Sequence, residues 1–162
     1  MSAYVGVTGG CQCGSVRYHL NEDPLALYVC HCRHCQKQSS SAFGMSMWMD
    51  RGAVEFTAGK LSLWSTRGDG GAEKICAFCA NCGTPIYHAV DDGKDILSIK
   101  AGSLDDTRLL QPTCHLWTKR QQPWLKLDAY QDSCYETKPP DDETLLRRWS
   151  SAISLSSGHE DA

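Results

Sequence analysis

No stretch of this 162-residue chain approaches the roughly 18 consecutive apolar residues that a membrane-spanning helix needs. The opening residues Met1 to Gly6 lack the basic and apolar regions of a secretory leader. A membrane protein is therefore not expected, and the expected compartment is cytoplasmic. Positive charge is not in excess either, with 16 Lys and Arg against 19 Asp and Glu and a net charge of −3. A nucleic-acid footprint is not indicated by such a balance. No internal repeat is evident beyond a pair of cysteine knuckles. The glycine-rich stretch Arg67-Gly68-Asp69-Gly70-Gly71 lacks the spacing of a phosphate-binding loop and reads as a flexible loop. With 41% apolar residues, wholesale disorder is excluded, and the length suits one domain with a real core.

What the chain has in quantity is cysteine, ten in all. In a reducing compartment ten thiols read as metal ligands before disulfides. The densest group is Cys30-His31-Cys32-Arg33-His34-Cys35. A Cys-x-Cys pair is too tight for an easy disulfide, because bridge geometry fixes how the two side chains face. The same tightness lets several thiolates converge on one ion.

The rest of the chain is strand-like. Tyr4–Thr8 reads as a short strand, and Val16 and Tyr18 alternate with Arg17 and His19 after the knuckle Cys11-Gln12-Cys13-Gly14. Leu25–Val29 leads as a strand into the central cluster, and Cys32–Ser39 reads as a short helix with Cys32 and Cys35 on one face. In Ala42–Met49 the residues Phe43, Met45, Met47 and Met49 alternate as a core-facing stripe. Val54–Thr57 and Leu61–Ser65 read as a hairpin around Ala58-Gly59-Lys60. Lys74–Phe78 runs into Cys79-Ala80-Asn81-Cys82-Gly83. Thr84–Val90, Ile96–Lys100 and Thr113–Trp117 read as strands, Ser103–Asp106 as a helical turn, and Gln121–Tyr135 as irregular with Pro123-Trp124 packed. After Pro139-Pro140, Asp141–Ser151 reads as a helix capped by Asp141 or Asp142, with Leu145, Leu146 and Trp149 on one face. Ser156–Ala162 reads as a disordered tail. The sum is a mainly β domain over residues 1–138, followed by a short C-terminal helix and tail over residues 139–162.

The half-sites are Cys11/Cys13, Cys30/Cys32/Cys35 and Cys79/Cys82. Zn²⁺ takes four ligands, so Cys11, Cys13, Cys79 and Cys82 together make a closed structural site. Both of those pairs are followed by glycine, as two similar knuckles should be. Cys30, Cys32 and Cys35 then keep one position open, which distinguishes a catalytic zinc from a structural one. Three thiolates leave such a zinc a weak Lewis acid but a good holder of a fourth, reactive thiolate. The rival assignment is a second structural zinc closed by Cys76, Cys114, Cys134 or a histidine. Disulfides stand third.

Gly9-Gly10-Cys11-Gln12-Cys13-Gly14-Ser15-Val16-Arg17-Tyr18, the run Cys30 to Lys37, the run Phe78 to Pro85, and the late His115-x-Trp117 with Pro123-Trp124 resemble the glutathione-dependent formaldehyde-activating enzyme family. The likeness runs from about Gly9 to Trp124. It implies a β-tent fold of twisted antiparallel sheets. It implies two zinc ions per chain, one structural on Cys11, Cys13, Cys79 and Cys82 and one catalytic on Cys30, Cys32 and Cys35. It implies a carbon–sulfur lyase joining glutathione, or a similar thiol, to formaldehyde or another small carbonyl as an S-hydroxymethyl-type adduct. Cys76 and the helix after Pro139 depart from the plain match.

The expected partner is thus a small glutathione-like thiol, with homo-oligomerisation left open. The alternative is a non-catalytic zinc β-module that binds a protein or nucleic acid. His31 and His34 flank the ligands as candidates for proton transfer or charge compensation, and His115 is the polar residue expected to face the site. Arg33 and Lys37 could meet a carboxylate of the thiol. Trp48, Trp64, Trp117 and Trp124 are expected in the core. Cys76 is expected to be a buried hydrophobe, not a ligand.

Overall fold

The computed structural model describes residues 3–68, 71–127 and 133–156. Among them, strands β1 (Thr8–Gly10), β2 (Arg17–Leu20) and β3 (Ala26–Cys30) precede helix α1 (Arg33–Ser39). Strands β4 (Gly44–Asp50), β5 (Val54–Ala58), β6 (Leu61–Arg67), β7 (Glu73–Cys79), β8 (Pro85–Val90) and β9 (Ile96–Lys100) follow. Then come β10 (His115–Leu116), β11 (Cys134–Tyr135) and helix α2 (Asp142–Ser156). The strands fall into two sheets. The fold is mainly β with a short C-terminal helix, as expected. The loop residues Asp69 and Gly70 and the tail beyond Ser156 lie outside the described residues.

The chain divides into two units. One comprises residues 2–24 and 47–110. In it β1, β2 and β5 form an antiparallel three-stranded sheet, with Tyr18 opposite Gly9 on one side and Phe56 on the other. The pairing is tight at Gly9, where a Cβ would meet the Tyr18 ring at 2.4 Å. β6, β7, β8 and β9 form an antiparallel run with β6 at its edge. Two expectations are corrected here. The first strand starts at Thr8, not Tyr4, because Tyr4–Gly6 turns: the Val7 amide donates to the Tyr4 carbonyl, and Gly6 sits at φ +83°. β5 and β6 are not a hairpin, because β5 pairs with β2 and β6 with β7. Gly59, at φ +94°, lets the chain change sheets there, where a Cβ would strike the Ser15 carbonyl at 2.3 Å. The helical turn expected at Ser103–Asp106 falls at Ala101–Ser103.

The other unit comprises residues 25–46 and 111 onward. β3 is buried along its whole length, as a strand covered on both faces should be. β10 pairs in parallel with β3 and with β11, a departure from the antiparallel sheets the likeness implies. The strand expected at Thr113–Trp117 is only the two residues of β10. Trp117 ends it by entering the left-handed region at φ +60°. α2 packs against β3. Asp141 caps it, its carboxylate accepting from the Thr144 amide at 2.8 Å and the Thr144 hydroxyl at 2.7 Å. Leu145 and Trp149, one turn apart, form its buried face, whereas Leu146 points outward at 38% exposure.

Candidate metal and thiol site

The first cysteine set lies in the unit of residues 2–24 and 47–110. The Cys11 and Cys79 knuckles fold alike. The Gly14 amide donates to the Cys11 carbonyl and the Gly83 amide to the Cys79 carbonyl, each at 3.0 Å. Gly14 and Gly83 sit at φ +78° and +76°, which explains the glycine after each pair. The knuckles bring the sulfurs of Cys11, Cys13, Cys79 and Cys82 within 4.8 Å of one another. Cys11 and Cys13 sulfurs are 3.4 Å apart, and those of Cys13 and Cys79 are 3.8 Å apart. A tetrahedron with metal–sulfur bonds of 2.3 Å has edges of about 3.8 Å, so the set fits one tetrahedral ion. None of the ten cysteines is in a disulfide.

Hydrogen-bond donors surround the sulfurs of this set. The Val16 amide donates to the Cys11 sulfur at 3.1 Å, and the Asn81 side-chain amide to the Cys13 sulfur at 3.2 Å. The Ser15 hydroxyl lies 3.1 Å from the Cys13 sulfur, and the Thr84 hydroxyl 3.1 Å from that of Cys82. Ser15 first, then Asn81, pulls the Cys13 thiol down to about 5, and Thr84 lowers that of Cys82. The hydroxyl and amide donors Ser15, Asn81 and Thr84 carry no sequence signal beyond lying beside the cysteines.

The second set lies in the other unit. β3 ends at Cys30, Cys32 is the N-cap of α1, and Cys35 lies in its first turn. The Cys32 sulfur accepts from the Cys35 amide at 3.4 Å. The three sulfurs converge within 4.8 Å. The neighbouring sulfurs of Cys32 and Cys35, together with burial, push the Cys30 thiol far up. All three could ionise together only with a cation among them, and their convergence suits a metal ligand set. Gly44 backs the set, since a Cβ there would meet that of Cys35 at 3.3 Å.

His31 turns away into the protein, fully buried. Its Nε2 lies 2.9 Å from Nδ1 of His115, with the two rings stacked 5.2 Å apart. The Phe43 ring meets His31 edge-on. Burial first, then His115, holds His31 down at about 4, and burial lowers His115 as well. Both imidazoles are therefore neutral near pH 7. The structure thus brings His115 to the back of the Cys30–Cys32 turn. His34 is half-buried, and Arg33 and Lys37 are exposed.

Gln36 is the residue that sequence reasoning missed. Its Nε2 donates to the His31 carbonyl at 2.6 Å and to the Arg120 carbonyl at 2.9 Å. Its Oε1 accepts from Arg33 Nη1 at 3.2 Å and Gln122 Nε2 at 3.1 Å. One buried amide thus ties the turn between Cys30 and Cys32 to the segment at Arg120. The only available signal was an amide inside the cysteine motif.

Cys76 is buried in β7 and belongs to neither sulfur set. Cys114 and Cys134 likewise stand outside both. The tryptophans differ from expectation. Trp64 and Trp124 are 55% and 68% exposed, and Trp48 and Trp117 are half-buried. The Lys119 and Arg120 cations sit over the Trp117 ring, which is the work its side chain does outside the core.

A mainly β fold here carries one four-cysteine set and one three-cysteine set, each of which could hold a metal ion. Residues 6–120 match the family described as glutathione-dependent formaldehyde-activating enzyme. The chain belongs to that family. No curated protein matches it. Among solved structures it is similar to a Rhodobacter sphaeroides protein from a structural genomics programme, at 19% identity and a TM-score of 0.47, over 60% of this chain and 87% of that one. The family takes its description from glutathione-dependent formaldehyde activation, and both cysteine sets are compatible with zinc. No helix among the described residues is long and apolar enough to cross a membrane.

Proposed function

We propose that the chain is a zinc-dependent carbon–sulfur lyase that joins glutathione, or a similar thiol, to formaldehyde or another small carbonyl, and that it works in the reducing cytoplasm. The observation that carries this reading is the asymmetry of the two sulfur sets: one groups four ligand atoms, the other three. Cys11, Cys13, Cys79 and Cys82 would hold a structural zinc, and Cys30, Cys32 and Cys35 a catalytic one. When bound at the three-cysteine set, zinc supplies a positive centre that keeps a fourth sulfur deprotonated and nucleophilic. In the same reading residues 1–138 are the working domain and 139–162 an appended segment.

The chain's own residues hold and orient. Gln36 fixes the His31 carbonyl and with it the turn that spaces Cys30 from Cys32. The His31, His115 and Phe43 rings close the back of that turn against water. The reaction itself is balanced and reversible. The thiol sulfur forms a bond to the carbonyl carbon, the π pair moves to oxygen, and the thiol proton ends on that oxygen as a hydroxyl. Holding thiol and carbonyl together supplies a large share of the acceleration for such an addition.

Cobalt substitution tests the reading, because the sulfur-to-cobalt band reports thiolate count. Glutathione should raise the band at the three-cysteine set, and S-methylglutathione should not. Equal responses would return the chain to a non-catalytic binding module. Metal content and circular dichroism separate the two sets: Cys79→Ser should unfold the protein, whereas Cys32→Ser should keep its fold and one zinc.

A further inference from the structure

Strand β6 is the edge of the antiparallel run β6 to β9, and among the described residues no strand pairs with its other side. Its register against β7 runs without a shift, from Leu61 opposite Cys79 to Arg67 opposite Glu73. The flanking backbone bonds fix which residues look outward. The Ala80 amide donates to the Lys60 carbonyl at 3.1 Å, and the Gly68 amide to the Ala72 carbonyl at 3.4 Å. Lys60 and Gly68 therefore turn their backbone groups towards β7. Antiparallel pairing alternates, so Ser62, Trp64 and Thr66 do the same. Leu61, Leu63, Ser65 and Arg67 hold their amides and carbonyls away from β7, in the plane of the sheet.

A row of outward amides and carbonyls recruits another strand, and sheet edges are ordinarily blunted against this by proline, a bulge or charge. β6 has no proline, no bulge against β7 and no charge before Arg67. It carries instead the neighbours Leu63 and Trp64, 64% and 55% exposed. Successive residues of a strand point to opposite faces, so each face of this edge presents an apolar side chain to solvent. The indole is the larger of the two and gains most from being covered.

We propose that β6 is a dimerisation edge, which takes β6 of a second copy of this chain antiparallel about a two-fold axis at Trp64. The argument for a second copy is self-complementarity. Trp64 is the midpoint of Leu61–Arg67. A two-fold axis there sets Leu63 opposite Ser65 of the second copy and Leu61 opposite its Arg67. Outward-facing residues thus meet outward-facing residues, and the amides and carbonyls along the edge find partners. The two Trp64 residues meet in a non-hydrogen-bonded pair, where side chains approach most closely and aromatic pairs stabilise a sheet. No like charges are opposed, because Lys60 falls opposite Gly68 and Arg67 opposite Leu61. The antiparallel run β6 to β9 then continues from one copy into the other.

Sedimentation of the full chain over a range of concentrations tests this. The wild type should be a dimer at about 100 µM. Trp64→Lys opposes two cations at the axis and removes the central aromatic pair, so the dimer should weaken at least about 30-fold. Ser65→Pro removes an outward amide that β7 does not use, so it should weaken the dimer at least about tenfold. Circular dichroism should show both variants folded. Leu146→Lys, at an exposed apolar residue of α2, should leave the dimer intact. The wild-type dimer should also show, relative to its dilute monomer, the exciton couplet of paired indoles. A wild type that stays monomeric overturns the proposal, whatever other strand the edge can bind. So does a dimer that survives both β6 variants, lacks the couplet, or is lost in Leu146→Lys, since it assembles through another surface or register.

Discussion

Replacing Gln36 with methionine keeps the side chain's length and removes all its hydrogen bonds. Gln36 is only 8% exposed, so little water can take over. The two carbonyls it serves are unequal, since His31 is fully buried and Arg120 half-buried. A buried polar group left without a partner costs about 1–3 kcal/mol, so the two together should cost about 2–4 kcal/mol. Arg33 is exposed and Gln122 half-buried, so both can be rehydrated and add little. In urea unfolding this corresponds to a fall in midpoint of about 1–2 M. The turn freed by the substitution spaces Cys30 from Cys32, so cobalt affinity at the three-cysteine set should fall about 10- to 100-fold, as for other supports of metal ligands. Affinity at the four-cysteine set should not change. Gln36→Glu sharpens the test, because it keeps the acceptor for Arg33 and Gln122 and loses the donor to both carbonyls. It should cost nearly as much as methionine. A midpoint unmoved by Gln36→Met, or a fully stable Gln36→Glu, would refute the reasoning.

Three other outcomes are expected. Ser40→Gly should raise stability by about 1 kcal/mol, since glycine adopts the left-handed conformation without the side-chain penalty, and thermal denaturation would read it. Cys76→Ala should keep two metal ions per chain by elemental analysis; loss of one would make Cys76 a ligand. The Arg17 guanidinium, then the Thr8 hydroxyl, holds the Asp105 carboxyl down at about 2, against an ordinary 3.8. A carboxyl lowered on folding stabilises above its unfolded value and loses that contribution as pH falls through the folded one. The stability gap between wild type and Asp105→Asn should therefore be flat above about pH 4, close towards pH 2, and shrink in high salt because the pair is half-exposed.

How much of this was legible depended on whether a feature was local. The Met47 and Met49 alternation, the α1 span and the glycine after each knuckle are set within a few residues, and the structure agrees with them. β5 and β6 looked like a hairpin because each alternates and Gly59 lies between them. β5 instead pairs with β2, and Gly59 comes close to Ser15, 44 residues away in sequence, a contact that no local pattern encodes. Trp124 was assigned to the core on its apolar ring alone. It is 68% exposed. Gln36 was hidden for a related reason: its carbonyl at Arg120 and its partner Gln122 lie more than 80 residues downstream.

The same contrast separates the two sulfur sets. Cys30, Cys32 and Cys35 span six residues, so closing that set costs little chain entropy. Its geometry can be supplied by the Cys32 cap, Gln36 and the close approach of Gly44 to Cys35. Cys13 and Cys79 lie 66 residues apart, and closing a loop of that length is unfavourable without a strong tie. A metal at the four-cysteine set therefore returns its binding free energy as folding free energy. On the proposed reading the three-cysteine set, already shaped by protein contacts, would accommodate an exchangeable fourth ligand without unfolding the chain. Chelator titration should accordingly remove metal in two steps. The first should leave circular dichroism unchanged and abolish the thiol-dependent cobalt band, and the second should coincide with loss of the β signal. A single step that takes both together would mean that both ions hold the fold, and the division of labour between the two sets would be lost.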